Sequence, residues 1–222
     1  MTLPRPPHGL LLDMDGTLID SEHTWFAAEC AAVARFGGTL PRAAEAELVG
    51  LDTDTLVARL RAGYVPHAGA AELRAAILEA LEGELTDVPA CAGAGELVAA
   101  ALRGGVRCAV VSNSSAEVVR RSLAPHPWAA PLTVRVSADD VVRPKPAPDA
   151  YLLALERLAL DAASCVALED SPTGALAATA AGLRCLGVAG DAAQRRALRR
   201  HTPHVVESLE AARRWLMLDG GP

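Results

Sequence analysis

The sequence predicts an α/β protein, in which helices cover both faces of a parallel sheet and a further helical segment is inserted after the first strand. Five short apolar runs and a weaker sixth alternate with longer segments of helical periodicity, which is the order that a parallel sheet with crossover helices produces. The gap between the first two runs is far longer than a simple crossover. Polar and acidic side chains follow several of the runs, at the sheet edge where such proteins bind ligands.

The predicted elements follow one another along the chain. The strands are expected at Gly9–Leu12, Arg107–Val111, Thr133–Val136, Cys165–Leu168, Arg184–Val188 and, more weakly, His204–Val206. The helices between them are expected at 94–103, 115–123, 148–159 and 172–181. The segment 21–89 is almost wholly helical in pattern, which predicts an inserted subdomain. The C-terminal residues 220–222 are expected to fray.

The composition favours a cytoplasmic protein with no nucleic-acid or membrane partner. The net charge of -6 disfavours nucleic-acid binding. No stretch is long and apolar enough to span a bilayer, and the N-terminus lacks the apolar core of a signal peptide. The five cysteines show no CxxC spacing, a pattern typical of thiols in a reducing compartment. We expect the chain to be a monomer.

Two carboxylates mark the end of the first strand. Asp13 and Asp15 follow Gly9–Leu12 directly, and Gly16 permits a tight turn. Close carboxylates repel each other unless a cation lies between them or one is protonated, so the pair predicts a divalent metal site, an acid/base pair, or both. Asp13 suits a nucleophile and Asp15 a general acid/base. A surface turn with two solvated aspartates is the plain alternative.

Hydroxyl side chains follow the second strand. Ser114 and Glu117 fit a capping box, which predicts that a helix begins there. Helix N-termini bind anions, and Ser112 at the strand end is placed to donate a hydrogen bond to a phosphoryl oxygen. Helix capping alone explains Ser114 well and Ser112 poorly.

Lys145 stands out because the other 20 of the 21 basic residues are arginine. A lysine in that background indicates a site that needs a compact ammonium instead of a guanidinium fork. Pro146 and Pro148 stiffen its loop, so the ammonium could neutralise a nucleophilic carboxylate and a phosphate. An exposed loop lysine is the alternative.

A second acidic pair follows the fourth predicted strand. Glu169 and Asp170 precede Ser171, which suits a helix cap, and Pro172, which suits the first helical position. Acidic groups at such a strand-to-helix switch suit Mg²⁺, which binds carboxylates, waters and phosphate oxygens. A contact with the helix dipole is the alternative for Asp170, but it explains Glu169 poorly.

Taken together, these motifs resemble those of the haloacid dehalogenase superfamily hydrolases. The resemblance is to the branch with a helical cap, which includes phosphoglycolate phosphatase-like, sugar phosphatase-like and β-phosphoglucomutase-like members. It implies a Rossmann-like core over 1–20 and 90–222 and a helical cap over 21–89. It also implies Mg²⁺-dependent hydrolysis of a small phosphorylated metabolite, with sugar phosphates preferred. The motifs lie in the family's order as LLLDMDGTL, VVSNS, KPAPD and LEDSPTG.

The resemblance also implies roles for the two acidic pairs. Asp13 would be the nucleophile and a metal ligand. Asp15 would be the general acid/base, and its backbone carbonyl would also bind the metal. Asp170 would complete the Mg²⁺ site, with Glu169 as a direct ligand or acting through water.

The same resemblance implies a phosphoryl pocket and distinguishes between related activities. Ser112 and the backbone of Asn113 would bind the phosphoryl group, and Lys145 would balance its charge. Mutases of this branch carry an assisting histidine twelve residues after the nucleophile, where this chain has Trp25. A sugar phosphomutase, a dehalogenase and a silent binding module of the same fold remain the rival functions. The expected substrate contacts from the cap include Glu22, His23, Trp25, Arg42, Arg59 and Arg61.

Overall fold

The computed structural model describes residues 6–82, 85 and 88–218, so the fraying predicted for 220–222 lies outside the described residues. The strands are β1 (Gly9–Leu12), β2 (Arg107–Val111), β3 (Val134–Val136), β4 (Cys165–Glu169), β5 (Arg184–Val188) and β6 (His204–Val206). They form one parallel sheet in the order β3-β2-β1-β4-β5-β6. This topology confirms the predicted α/β class with a Rossmann-like sheet.

Ten α-helices lie within the described residues. Four follow β1: α1 (Glu22–Arg35), α2 (Glu45–Leu48), α3 (Thr53–Gly63) and α4 (Ala70–Glu82). The others are α5 (Ala94–Arg103), α6 (Ala116–Leu123), α7 (Asp149–Leu158), α8 (Pro172–Ala180), α9 (Ala192–Leu198) and α10 (Leu209–Trp215). We call α1 to α4 with their connecting loops the helical insert. The exact bounds of the cap, 21–89, stay a prediction.

Strand β1 is buried on both faces because successive side chains of a strand point to opposite sides. Leu10 and Leu12 belong to the apolar core that includes Leu97 of α5. Leu11 belongs to the core on the other face, which includes Tyr151 of α7. The continuous apolar run of this strand therefore places its polar successor, Asp13, at the carboxyl edge of the sheet.

One predicted helix start is wrong. Ser115, and not Ser114, is the N-cap of α6, and its hydroxyl accepts a hydrogen bond from a backbone N–H of the first turn. The hydroxyl of Ser114 instead donates to Asp15. The spacing from Ser114 to Glu117 fits a capping box, but a cap needs only one side-chain oxygen beside the first free N–H groups, and the folded backbone gives that position to Ser115. Ser171 caps α8 as predicted.

Within the described part of the chain, none of the helices is both long enough and apolar enough to cross a bilayer. All five cysteines are free thiols, and Cys108, Cys165 and Cys185 are buried. The cytoplasmic location and the monomeric state stay predictions.

Candidate active site

The candidate site lies where the strand order reverses beside β1. The chain first adds β2 and β3 on one side of β1 and then places β4 on the other. The carboxyl ends of the strands at such a switch point form a crevice that binds ligands. Asp13 follows β1, Ser112 follows β2 and Asp170 follows β4. The loop between β3 and α7 supplies Lys145.

Lys145 is buried and all three protons of its ammonium have acceptors. The Nζ atom donates to Asp13 Oδ1 at 2.7 Å, to Glu169 Oε1 at 2.6 Å and to the backbone carbonyl of Val111 at 2.8 Å. Charge-assisted bonds of this kind are stronger than neutral ones. The structure therefore brings together an aspartate, an ammonium and an acidic pair from three distant parts of the sequence.

Glu169 is fully buried and is held mainly by protein donors. Its Oε1 accepts from Lys145 and, at 2.5 Å, from the hydroxyl of Tyr151, while its Oε2 accepts from Ser171 at 3.3 Å. A Cβ at Gly174 would collide with this carboxylate, so α8 can approach Glu169 only with a glycine there. Sequence reasoning missed both Tyr151 and Gly174, because neither carries a group that marks it as part of a site.

Asp170 is the carboxylate with an unused oxygen. Its side chain is buried, and within the described residues its Oδ2 has no hydrogen-bond partner. Gly16, with a φ of 76°, passes so close that a Cβ there would overlap Asp170 Oδ2. Asp13, Glu169 and Asp170 each offer an oxygen within 4.8 Å of the others. An oxygen-only set with one unpartnered buried oxygen fits a hard cation such as Mg²⁺.

The electrostatics of this cluster also favour a cation. Burial raises the pKa of Asp13 to about 7; Lys145 lowers it and Glu169 raises it. Burial, followed by the charges of Asp13 and Glu169, holds the pKa of Asp170 well above its usual range. Burial by itself would lower the pKa of Lys145, but the two carboxylates beside it raise it. One ammonium thus faces three carboxylates, and a divalent ion would remove the remaining repulsion.

Asp15 is held by four side-chain donors. Its Oδ1 accepts from Ser21 Oγ at 2.7 Å and from the indole Nε1 of Trp25 at 3.1 Å. Its Oδ2 accepts from Ser114 Oγ at 2.8 Å and from Ser112 Oγ at 3.2 Å. The donors come from both sides of the crevice, two at the start of the insert and two after β2. Sequence reasoning missed Ser21 and Ser114 in this role.

Asn113 clamps the loop that carries Lys145. Its Oδ1 accepts from the backbone N–H of Lys145 at 2.9 Å, and its Nδ2 donates to the carbonyl of the same residue at 3.0 Å. The Nδ2 also donates to the carbonyl of Gly50 at 3.2 Å. Asn113 therefore links the loop after β2 to the loop of Lys145 and to the helical insert. The sequence predicted only a backbone role for this residue.

A cavity extends from these groups towards the helical insert. Of the expected cap contacts, Glu22 and Trp25 line it, but the other four lie elsewhere. His23 is exposed beside Glu45, Arg42 is also exposed near Glu45, Arg59 pairs with Glu47, and Arg61 donates to the carbonyl of Ala68. The insert contributes Glu22, Trp25, Phe26, Glu29, Glu45 and Leu56 to the lining. Glu29 is a residue that the sequence did not single out.

Comparison with known proteins agrees with the family resemblance of the sequence motifs. Residues 10–188 match the family model of haloacid dehalogenase-like hydrolases. Hexitol phosphatase A of Escherichia coli is 36% identical over 185 residues, which cover 81% of this chain and 82% of that protein. Fructose-1-phosphate phosphatase YqaB of Escherichia coli is 30% identical over 184 residues, covering 81% and 95% of the two chains.

A solved structure shares the architecture. The crystal structure of a variant of CbbY from Rhodobacter sphaeroides, in complex with xylulose-(1,5)bisphosphate, superposes with a TM-score of 0.79. It is 28% identical and covers 91% of this chain and 95% of that chain.

Proposed function

This chain is a phosphatase that belongs to the haloacid dehalogenase-like hydrolase family, and we propose that it hydrolyses phosphate esters of small neutral sugars or polyols through a phosphorylated Asp13. The observation that carries the proposal is the contact of the Asp13 carboxylate with the Lys145 ammonium at 2.7 Å, beside the unpartnered Oδ2 of Asp170. An anionic nucleophile, a fixed positive charge and a cation site are what phosphoryl transfer needs at one point.

We propose that Asp13 and Asp170 hold Mg²⁺, with the backbone carbonyl of Asp15 as the further protein ligand that the family resemblance implies. When bound, the ion supplies positive charge that offsets the charge of the phosphoryl oxygens. Both oxygens of Glu169 already accept hydrogen bonds from protein donors. That arrangement supports a role for Glu169 in fixing Lys145 instead of direct metal binding.

In the proposed first step, an Asp13 oxygen forms a bond to phosphorus while the ester P–O bond breaks. Protonated Asp15 gives its proton to the departing alcohol oxygen. In the second step, Asp15 takes a proton from water as the water oxygen bonds to phosphorus and the bond to Asp13 breaks. The sum is ester plus water giving alcohol plus phosphate, and both carboxyls regain their starting forms.

The charge of the cavity supports a neutral leaving group. Glu22, Glu29 and Glu45 line it from the insert, and Lys145 is the sole basic residue among the described residues of the lining. Because that ammonium is already bound to Asp13 and Glu169, a carboxylate or a second phosphate on the substrate would meet further acidic groups and no unengaged basic side chain among the described residues of the lining. The relatives named hexitol phosphatase and fructose-1-phosphate phosphatase agree with a neutral polyhydroxylated substrate.

No specific observation favours a rival function. Trp25 occupies the position of the mutase histidine and donates to Asp15. Because an indole N–H only donates hydrogen bonds, Trp25 cannot accept a proton as a histidine could. A silent binding module would lack part of the set Asp13, Asp15, Lys145 and Asp170, and all four are present.

Release of phosphate tests the proposal directly. The protein with Mg²⁺ is expected to release phosphate from glucitol 6-phosphate and from p-nitrophenyl phosphate. Asp13→Asn is expected to lower both rates by more than about 1,000-fold, since it removes the nucleophile. Asp161→Asn, a matched change at an exposed aspartate, should leave them unchanged. Turnover retained in Asp13→Asn would disprove the covalent route.

Metal binding has a readout that does not depend on activity. Mg²⁺ is expected to raise the melting temperature of the protein, because a ligand that binds the folded state stabilises it. Asp170→Asn is expected to abolish that rise, and Asp161→Asn to retain it. An equal rise in both variants would place the ion elsewhere.

A further inference from the structure

Glu29 is a buried acid with no polar partner among the residues that the structure describes. It lies in the middle of α1 and is 4% exposed. Among the described residues, no side chain or backbone group forms a hydrogen bond or an ion pair with its carboxyl group. Its side chain lines the cavity that leads to Asp15 and Lys145. A buried polar group that forms no internal hydrogen bond and faces a cavity is available to form one with a ligand.

The protonation of Glu29 suits contact with a hydroxyl group. Burial, and to a smaller extent the charge of Glu45, raises the pKa of Glu29 to about 8. At neutral pH the group is therefore mainly the neutral acid, which has one O–H donor as well as acceptor oxygens. A sugar or polyol hydroxyl also both donates and accepts, so either group can be the donor of the hydrogen bond between them.

Glu29 lies one helical turn from the residue that marks the reacting end of the cavity. Trp25, which donates to Asp15, is four positions earlier on α1, so both side chains share one face of the helix. The rise along the helix between them is about 6 Å. Glu29 thus faces the part of a substrate several atoms beyond the ester oxygen, and it does not face the phosphoryl group.

The surroundings of Glu29 limit what it can bind. Phe26 and Leu56 give the cavity apolar walls, and Glu22 and Glu45 add further acidic groups. An anionic group placed beside Glu29 would be repelled by Glu22 and Glu45 and would find no basic side chain nearby except Lys145 among the described residues of the lining. A neutral carbon chain that carries hydroxyls suits this cavity, since its carbon atoms pack on the apolar walls and its hydroxyls form hydrogen bonds with the acid.

We propose that Glu29 is a specificity-determining residue that forms a hydrogen bond with a hydroxyl of the leaving group remote from the phosphate. This inference rests on the proposed function, because it concerns the alcohol part of the same substrate. In this proposal a single buried acid of the insert distinguishes polyol phosphates from phosphate esters without hydroxyls, which phosphatase activity alone does not require.

The test compares two substrates in the wild type and three variants. Glucitol 6-phosphate carries remote hydroxyls, whereas p-nitrophenyl phosphate carries none. Glu29→Leu is expected to lower kcat/KM for glucitol 6-phosphate by about 10- to 100-fold and to change that for p-nitrophenyl phosphate less than about threefold. Glu29→Gln, which keeps one donor and one acceptor, should stay within about threefold of the wild type on both. Glu47→Leu, a change at an exposed glutamate of the insert, is the matched control.

Folding is not expected to limit the test. Replacing an unpartnered buried acid with an apolar side chain removes a desolvation cost, so the melting temperature of Glu29→Leu should not fall below that of the wild type. Glu29→Met, with a more adaptable side chain, gives the same comparison if leucine does not pack.

Each outcome decides the inference. A loss confined to glucitol 6-phosphate supports it. Equal losses on both substrates would make Glu29 a structural residue, and no loss on either, or a loss in Glu29→Gln as large as that in Glu29→Leu, would also overturn it. If the wild type cleaves p-nitrophenyl phosphate but not glucitol 6-phosphate, the inference fails while the phosphatase function stands. If it cleaves neither, the proposed function fails first.

Discussion

The strongest test of the site's electrostatics is the replacement Lys145→Met. Methionine keeps an unbranched apolar stem and removes the ammonium. Asp13 and Glu169, bonded at 2.7 and 2.6 Å, then lose their shared cation, and the carbonyl of Val111 loses its donor. Breaking a buried ion pair by removing one partner costs about 3–5 kcal/mol. We therefore expect the free energy of unfolding to fall by that amount at pH 8 in magnesium-free buffer.

The size of this loss should depend on pH. Burial raises the folded-state pKa of Asp13 to about 7, although Lys145 lowers it. Because Lys145→Met removes the group that lowers this pKa, the pKa of Asp13 rises further. A carboxyl whose folded pKa is raised contributes stability that is fully present below its unfolded pKa and is lost as the pH rises through the folded pKa. The cost of Lys145→Met is thus expected to be smaller at pH 5 than at pH 8.

Urea denaturation followed by tryptophan fluorescence measures the loss. The matched control is Arg143→Met, two residues earlier. Arg143 bonds to Asp149, but its side chain is 70% exposed, and exposed ion pairs contribute about 0–1 kcal/mol. A loss for Lys145→Met at pH 8 no larger than that for Arg143→Met would refute the view that the buried ammonium holds the acidic cluster together.

Three further predictions each concern a single residue. In the wild type the free energy of unfolding is expected to fall between pH 5 and pH 8, because burial raises the folded-state pKa of Glu29 to about 8 and the unfolded chain releases this proton at a lower pH. Glu29→Gln is expected to make this fall smaller by about 2–4 kcal/mol; urea denaturation curves that show the same pH dependence for both proteins would contradict this. Gly174→Ala is expected to cost about 1–3 kcal/mol and to reduce kcat, because its Cβ collides with Glu169; unchanged melting and activity would show that α8 shifts freely. Trp25→Phe removes the N–H that donates to Asp15 and should lower kcat by about 3- to 10-fold with KM changed less, whereas an unchanged kcat would mean that the other donors suffice.

Much of the fold could be predicted because parallel strands buried on both faces are continuous apolar runs. Gly9–Leu12 is such a run, and Asp13 must then lie at the carboxyl edge. The start of α8 was also predictable, because Ser171 suits a helix N-cap and Pro172 suits the first helical position. The start of α6 was not, because the spacing from Ser114 to Glu117 indicated Ser114 as the cap, whereas the folded backbone makes Ser115 the N-cap.

Side-chain partners within the site were much less predictable. Glu169 was expected close to the metal, and it does offer an oxygen within 4.8 Å of those of Asp13 and Asp170. The sequence did not predict that its oxygens accept hydrogen bonds from Lys145, Tyr151 and Ser171. A tyrosine in the first turns of a helix is ordinary core material in a sequence. Its hydroxyl becomes part of the site only because α7 packs on one face of the sheet and so brings the Tyr151 hydroxyl within 2.5 Å of Glu169 Oε1.

The amino-acid sequence alone determined the order of strands and helices, the insertion after the first strand and the chemical groups at the sheet edge, since each depends on local periodicity and on residue type. Tertiary structure alone decided that Ser21, Trp25 and Ser114 converge on Asp15 and that Glu29, but none of the expected arginines, faces the cavity. The contacts of Ser21 and Trp25 with Asp15 and the position of Glu29 depend on the orientation of the insert relative to the sheet, and the contact of Ser114 depends on the pairing of β1 with β2. That orientation comes from packing between residues far apart in the chain, which no local pattern encodes.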